Sequence, residues 1–407
     1  MKNKEANRNE LRFGNVIDQP DKADLDKDVC TMCHPRKISA TICAPLTGVL
    51  VLLCAFCFPF AAAGQSGSEE TPILPDNPKL QIVGRYDGRD ASHPRFGFPG
   101  GGVIFRFKGT AASLDVSIDS DKGALSVVVD HGAPAMHLLK KGDNIVVLAS
   151  QLDDAAHTVE VYKRTETVQG VLTIHSIRLG EGGSLLDPPG LPVRRLMFVG
   201  DSVTCGAGVN NNAVCKPDPL SPANDAYNAY GLVLGRRLDA QSHLVCYGGR
   251  GLERDYRGLG AEKGVLNAPQ FIDLAVATDA PASRAAWDAS RWQPDAIVVS
   301  LGTNDFNLQK TLPLNPKKWV DEYVAFVRTL RKEYPRASIL LTEGAMVTDP
   351  LLRQMVQDTV ARMHTNRVRD LAATHYPGNG CNGHPTRAQH LRIADDMEPE
   401  LRRVLGW

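Results

Sequence analysis

Four turn-rich segments carry the side chains with which this chain can do chemistry. Gly200-Asp201-Ser202-Val203-Thr204-Cys205-Gly206 follows the apolar run Leu196-Met197-Phe198-Val199, and Ser300-Leu301-Gly302-Thr303-Asn304-Asp305 ends another, Ala296-Ile297-Val298-Val299. Tyr247-Gly248-Gly249-Arg250-Gly251 comes after Leu244-Val245, and Cys381-Asn382-Gly383-His384-Pro385 precedes a helical stretch near the C-terminus. In chain order these segments supply a hydroxyl, glycine amides, a side-chain amide and an imidazole, the parts needed for acyl transfer. A serine hydroxyl is a weak nucleophile until an adjacent base takes its proton, and a neutral imidazole is the usual base near pH 7. Ser202 is therefore the candidate nucleophile and His384 the candidate base. The tetrahedral intermediate needs preorganised donors for its oxyanion. The N–H groups of Ser202 and Gly249 and the side-chain amide of Asn304 suit that role. At Gly249 the missing Cβ lets backbone approach substrate.

Each residue also has a plainer reading. Asn304 can close an Asx turn, Gly249 can serve only a positive φ, and His384 can sit at a helix entry with Pro385 at the first helical position. Their occurrence in this order on one chain favours the chemical reading. Asp305 is expected to cap a helix rather than to orient the Asn304 loop.

The blocks resemble the SGNH (GDSL-like) hydrolase superfamily and, more closely, the family-two carbohydrate esterases, the acetylxylan-esterase-like group. Besides the serine and histidine blocks, the resemblance takes in Gly84-Arg85, Phe96-Gly97-Phe98-Pro99-Gly100, and Leu152-Asp153-Asp154 with the following His157-Thr158-Val159-Glu160-Val161-Tyr162-Lys163-Arg164-Thr165-Glu166. It runs from about Leu80 to the C-terminus. It implies an SGNH-type α/β/α sandwich with a parallel sheet, preceded by an all-β jelly-roll domain. It also implies removal of acetyl groups from plant polysaccharides or oligosaccharides, with acetyl on the sugar's sixth carbon favoured. Related esterases often carry an acidic residue two before the histidine, where this chain has Asn382. A neutral amide oxygen can still accept the imidazole N–H, so the expectation is a Ser202–His384 dyad oriented by Asn382 or by a backbone carbonyl.

The elements that must position these residues are legible in the patterning. Short β-rich runs at Val103–Phe107, Leu114–Ile118, Ser126–Val129, Asn144–Leu148, Thr158–Tyr162 and Val171–Ile174 alternate in polarity and are separated by turn residues, which predicts an antiparallel sandwich over 77–187. After Val193 strands alternate with helical stretches, Ala229–Leu238, Lys318–Glu333, Leu351–Ala372 and Thr386–Leu405, with a buried strand at Ile339–Leu341. That rhythm predicts a parallel sheet flanked by helices over 193–407. Gln65 to Asp76 is rich in Gly, Ser, Glu and Pro and reads as a linker.

Residues 1–64 read as a signal region. Arg36 and Lys37 precede the apolar run Leu46–Phe58, and Ala61-Ala62-Ala63 follows. The apolar run is shorter than the about 20 residues of a membrane-spanning helix, so no span is expected after its removal. Met32 is the expected true start. Export, to the medium or the periplasm, follows. Of nine cysteines, Cys205, Cys215, Cys246 and Cys381 then remain, with three possible pairings that the spacing leaves open. The formal net charge is zero and the globular part has no basic tract, which excludes nucleic acid as a partner. No His or Cys cluster has metal-ligand spacing, so catalysis without metal or other cofactor is expected, by a monomer. Trp287, Trp292 and Trp319 are expected in the core rather than on a sugar-binding face. The competing functions are a non-catalytic carbohydrate-binding descendant and an SGNH esterase or lipase acting on other esters.

Overall fold

The sequence rhythm changes near Pro188, and so does the architecture. The structure is a computed structural model that describes residues 71–210, 223–365, 367–371 and 383–407. The expected signal region, Cys215, Cys381 and Asn382 lie outside the described residues.

The first part is antiparallel. Its strands are β1 (Gln81–Val83), β2 (Arg95–Phe96), β3 (Gly102–Gly109), β4 (Ala112–Ile118), β5 (Ala124–Val129), β6 (Ala135–Leu138), β7 (Gly142–Ala149), β8 (Ala155–Lys163), β9 (Leu172–Leu179) and β10 (Ser184–Leu186). One sheet runs β1-β3-β8-β5-β6, with β10 also on β3, and the other β2-β9-β4-β7. Strands β2 to β9 thus fill two four-stranded layers in the order of two interlocked Greek keys, which is the jelly roll. Alternation does the folding: in β4, Ala112, Leu114, Val116 and Ile118 point inward and Ser113, Asp115 and Ser117 outward. The inward residues meet Phe105, Phe107, Val159, Val161, Ile174 and Ile177 in one apolar core. The six predicted strands are present; β1, β2, β6 and β10 are too short to announce themselves by alternation. Ile73, within the stretch read as a linker, bridges to Ile177.

The second part is built on a parallel sheet of β11 (Arg194–Gly200), β12 (Ala240–Cys246), β15 (Ala296–Leu301), β16 (Ser338–Glu343) and β17 (Val368–Asp370), in the order β12-β11-β15-β16-β17. A small hairpin of β13 (Leu274–Val276) and β14 (Ala285–Ala286) lies apart from it. Both faces of the parallel sheet are covered, so its strands read as unbroken apolar runs. Met197 and Val199 enter one core with Trp319, Tyr323 and Val327 of the helix Pro316–Glu333 and Leu352 and Met355 of Pro350–Met363. Leu196 and Phe198 enter the other, with Tyr230 and Leu234 of Tyr230–Arg237 and Ile393 and Met397 of Arg387–Leu405.

One expected element needs correction. The helix predicted over Leu351–Ala372 stops at Met363, because His364 takes a left-handed conformation (φ 49°) and the chain then enters β17. The apolar spacing continues through Val368 and Leu371, but there it belongs to a short buried strand.

Candidate active site

Three of the four segments are brought together by strand register. Gly200 at the end of β11 pairs with Cys246 of β12 on one side and Ser300 of β15 on the other. The loops that follow therefore leave the sheet side by side at its carboxyl edge, where open α/β sheets place their sites.

Asp201 opens the turn after β11 and caps the short helix Ser202–Cys205 by accepting the Val203 N–H at 3.0 Å. This places Ser202 in the first turn, where helix N–H groups have no intrahelical acceptor. Burial pushes the Asp201 carboxyl up to about 6. Ser202 Oγ lies 2.8 Å from His384 Nε2, although the two are 182 residues apart in sequence. Both side chains are half-buried, so the pair is shielded yet reachable. The histidine loop is anchored beyond the pair: the Arg387 N–H donates to Val209 O at 2.9 Å, and Thr386 and Gln389 form a capping box at the start of the last helix.

After β12 the chain turns through Gly248 and Gly249. Gly249 has φ +75°, a conformation that side-chain-bearing residues rarely adopt, and its carbonyl accepts the Tyr256 N–H at 2.9 Å. Asn304 follows β15 in the short helix Thr303–Phe306. Its Nδ2 donates to Arg250 O at 2.9 Å and faces Asp201 Oδ2 at 3.4 Å. The amide thus spans the serine turn and the glycine loop, and the long second contact is the one an oxyanion can replace. Asn304 thus holds Arg250, next to Gly249, and faces Asp201, next to Ser202, while His384 reaches the Ser202 hydroxyl.

Asp305 does not cap its own helix, against expectation. The helix begins after Gly302, which offers no side-chain cap. Asp305 is fully buried and its carboxylate accepts the N–H groups of Leu252, Glu253 and Arg254 at 2.9, 2.8 and 3.2 Å. Arg254 returns two hydrogen bonds to Asp305 O. The Asp therefore fixes the loop that follows Gly249 to the helix that carries Asn304.

A disulfide joins Cys205, three residues after Ser202, to Cys246, three before Gly249. This is one of the pairings that the spacing left open. Trp319 and Trp292 are core residues, as expected, and Trp287 is partly buried against that core: Trp319 is fully buried against Tyr323, and Trp292 stacks on His243 with ring centroids 3.6 Å apart. Trp287 packs under the Arg85 guanidinium, 4.8 Å from its ring centroid. His390 of the last helix is buried and accepts the Tyr230 N–H at 3.2 Å; burial, with the nearby His384, lowers its pKa to about 3.

Two neighbours of the site were not singled out by the sequence. Tyr256, 50 % exposed, lies beside Gly249, where an added Cβ would come within 3.0 Å of its ring. Glu166, from the jelly roll, is buried against Gly248 and accepts its N–H at 2.6 Å.

Both parts of the chain match known proteins. Residues 82–189 match the family model described as "Carbohydrate esterase 2 N-terminal", and residues 198–400 match "GDSL-like Lipase/Acylhydrolase family". An acetylxylan esterase / glucomannan deacetylase of Cellvibrio japonicus is 32% identical over 340 residues, 82% of this chain and 91% of that protein. The cellulase/esterase CelE of Acetivibrio thermocellus is 30% identical over 344 residues, which span 82% of this chain and 40% of that longer protein. Among solved structures, a family two carbohydrate esterase from Cellvibrio japonicus superposes with a TM-score of 0.76 at 31% identity, covering 83% of this chain and 98% of that one. One from Clostridium thermocellum in complex with cellohexaose gives 0.71 at 28% identity, covering 81% and 99%. With both halves matched and the sheet, turn and loop order shared, the chain belongs to the family two carbohydrate esterases, enzymes that hydrolyse carboxylic esters.

Proposed function

We propose that this esterase removes acetyl groups from plant cell-wall polysaccharide or its oligosaccharides, with Ser202 as nucleophile and His384 as general base. Ser202 Oγ attacks the acetyl carbonyl while His384 Nε2 takes its proton. The carbonyl oxygen becomes an oxyanion held by the Ser202 and Gly249 N–H groups and the Asn304 amide. Collapse of the intermediate expels the sugar oxygen, which recovers a proton from His384, and leaves acetyl-Ser202. Water, deprotonated by His384, then attacks the acyl group. Acetate leaves and the serine is regenerated. The imidazole is oriented, on this reading, by Asn382 or by a backbone carbonyl; a neutral acceptor stabilises the imidazolium less than a carboxylate does, so a modest rate is expected.

The observation that carries this reading is the 2.8 Å contact between Ser202 Oγ and His384 Nε2. Tyr256 offers a half-exposed aromatic face beside the oxyanion donors, on which a sugar ring can pack. The names of the relatives, acetylxylan esterase and glucomannan deacetylase among them, support the substrate class. Export is supported by the apolar segment preceded by Arg36 and Lys37 and by the Cys205–Cys246 disulfide, a bond that persists in oxidising compartments. No described helix is long and apolar enough to cross a membrane. The test is acetate release from acetylated xylan, acetylated glucomannan and 4-nitrophenyl acetate, with Ser202→Ala as control. Release from the polysaccharides that is lost in the variant is the expected outcome. Binding without release identifies the non-catalytic alternative, and hydrolysis of 4-nitrophenyl palmitate, run alongside, with no acetate release from the polysaccharides identifies a lipase-type enzyme.

A further inference from the structure

The jelly roll contributes more than a neighbouring surface to the hydrolase part. Residues 164–167, which follow β8, leave the sandwich and enter between the hydrolase loops. Arg164 is buried and pairs with Asp225 at 2.9 Å, and its carbonyl accepts the Ala226 N–H at 3.1 Å. The Asp225 N–H in turn donates to Gly206 O at 2.8 Å, at the C-terminal end of the serine helix. Two residues further on, Glu166 reaches the glycine loop. Its Oε2 accepts the Gly248 N–H at 2.6 Å, and a Cβ on Gly248 would lie 2.2 Å from that oxygen. Gly248 is thus a glycine because a carboxylate occupies the space a side chain would take.

The finger is held from its own side as well. Lys163 Nζ donates to Thr165 O at 2.6 Å and Glu166 O at 3.1 Å, and the Thr167 hydroxyl donates to Gly97 O at 3.1 Å. Burial drives the Glu166 carboxyl up and the Lys163 ammonium down, each opposed by the charge of the other. A buried carboxylate held in this way is costly unless its contacts are made. The donor of its shortest bond, the Gly248 N–H, is one residue from the amide assigned to the oxyanion.

We propose that Glu166 is a positioning residue for the oxyanion hole, holding the Gly248 peptide so that the next amide, that of Gly249, is presented to the substrate. Only the two backbone torsions of Gly248 separate the anchored N–H from the working one, and a glycine left unanchored rotates more freely than any other residue. The jelly roll is on this account part of the catalytic apparatus. The inference rests on the reading of Gly249 as an oxyanion donor.

The test uses the full chain with Glu166→Ala, Glu166→Asp and Glu166→Gln, assayed on 4-nitrophenyl acetate, with active sites counted by covalent titration. Loss of a single oxyanion donor typically lowers kcat 10²–10³-fold, and a displaced donor is expected to cost roughly 10–100-fold. Glu166→Ala is expected to lower kcat per titrated site by that factor with KM within about threefold, and to weaken inhibition by methaneboronic acid, a mimic of the tetrahedral intermediate, in parallel. Glu166→Gln, whose amide oxygen still accepts the Gly248 N–H, is expected to recover most of the loss. A folded Glu166→Ala enzyme with kcat per site within threefold of wild type overturns the proposal. So does a loss confined to the number of titratable sites, which is what a purely structural role produces. If Glu166→Ala does not fold, Glu166→Asp decides: its shorter side chain is expected to lower kcat at constant KM, and an unchanged kcat overturns the proposal. Asn304→Ala, assayed alongside, separates the two levels. If it too leaves kcat intact the oxyanion site itself is misassigned, whereas if it alone is impaired only the role of Glu166 falls.

Discussion

Replacing Cys205 and Cys246 together by alanine removes the one covalent tie between the serine helix and the strand that leads to the glycine loop. The bond closes a loop with a sequence separation of 41. Loop-closure entropy for that length corresponds to about 13 cal/mol/K in the unfolded chain, or about 4 kcal/mol at 25 °C. Both sulfurs are fully buried, so the substitution also removes some packing and the loss is not expected to fall much below that figure. With an unfolding entropy of about 2.1 cal/mol/K per residue, spread over the unit Gly67–Trp407, the midpoint is expected to fall by roughly 5–6 °C. The bond lies three residues from both the proposed nucleophile and a proposed oxyanion donor, so kcat is expected to fall more than KM rises. Calorimetry of the two proteins, paired with non-reducing peptide mapping of the wild type, checks each step. A midpoint lowered by less than about 1 °C refutes the energetic argument. Recovery of Cys205 linked to Cys215 or Cys381 refutes the pairing on which it rests.

Other outcomes follow from the same geometry. Asn304→Ala removes a donor that bridges Arg250 and Asp201, and kcat on 4-nitrophenyl acetate is expected to fall about 10²–10³-fold, or about 3–4 kcal/mol of barrier, with KM little changed. Tyr256→Ala is expected to raise KM on acetylated polysaccharide several-fold while leaving kcat/KM on 4-nitrophenyl acetate near wild type; equal effects on both substrates remove the sugar-stacking role. His390 has a folded pKa of about 3 against an unfolded value near 6.5, so the unfolded chain binds the extra proton between those values and stability falls as pH falls. At pH 4.5 this one group costs about 2–3 kcal/mol relative to pH 7. The stability gap between wild type and His390→Asn, measured by urea unfolding, is therefore expected to narrow by that amount on acidification, and a constant gap contradicts it.

Three of the four candidate site residues were readable because each sits at the end of an apolar strand, where a change from β-branched residues to glycine and polar residues marks the edge of a parallel sheet. Ser202, Gly249 and Asn304 all carry that mark. His384 does not follow a strand, but Pro385 and the capping residue Thr386 locate it at a helix entry. What stayed hidden depends on contacts between distant segments. Asp305 reads as a capping residue from its neighbours, and only the folded chain shows three backbone N–H groups of Leu252–Arg254 converging on it. The Cys205–Cys246 pairing likewise depends on the adjacency of β11 and β12, which spacing along the chain does not encode. Glu166 sits in a stretch whose resemblance to the family was visible, but its partner Gly248 is 82 residues away in the other half of the molecule. The helix read through Ala372 ran on because Val368 and Leu371 keep a helical spacing; the left-handed His364 that ends it has no strong local signature.

The central claim is that the Ser202 oxygen is made nucleophilic by His384. Treatment with an organophosphate such as paraoxon, followed by peptide mass mapping, tests it directly. The account predicts a single phosphoryl adduct on Ser202 in the wild-type enzyme, formed at least a hundredfold more slowly in His384→Ala. An adduct on another serine, or undiminished labelling of Ser202 without the imidazole, would contradict it.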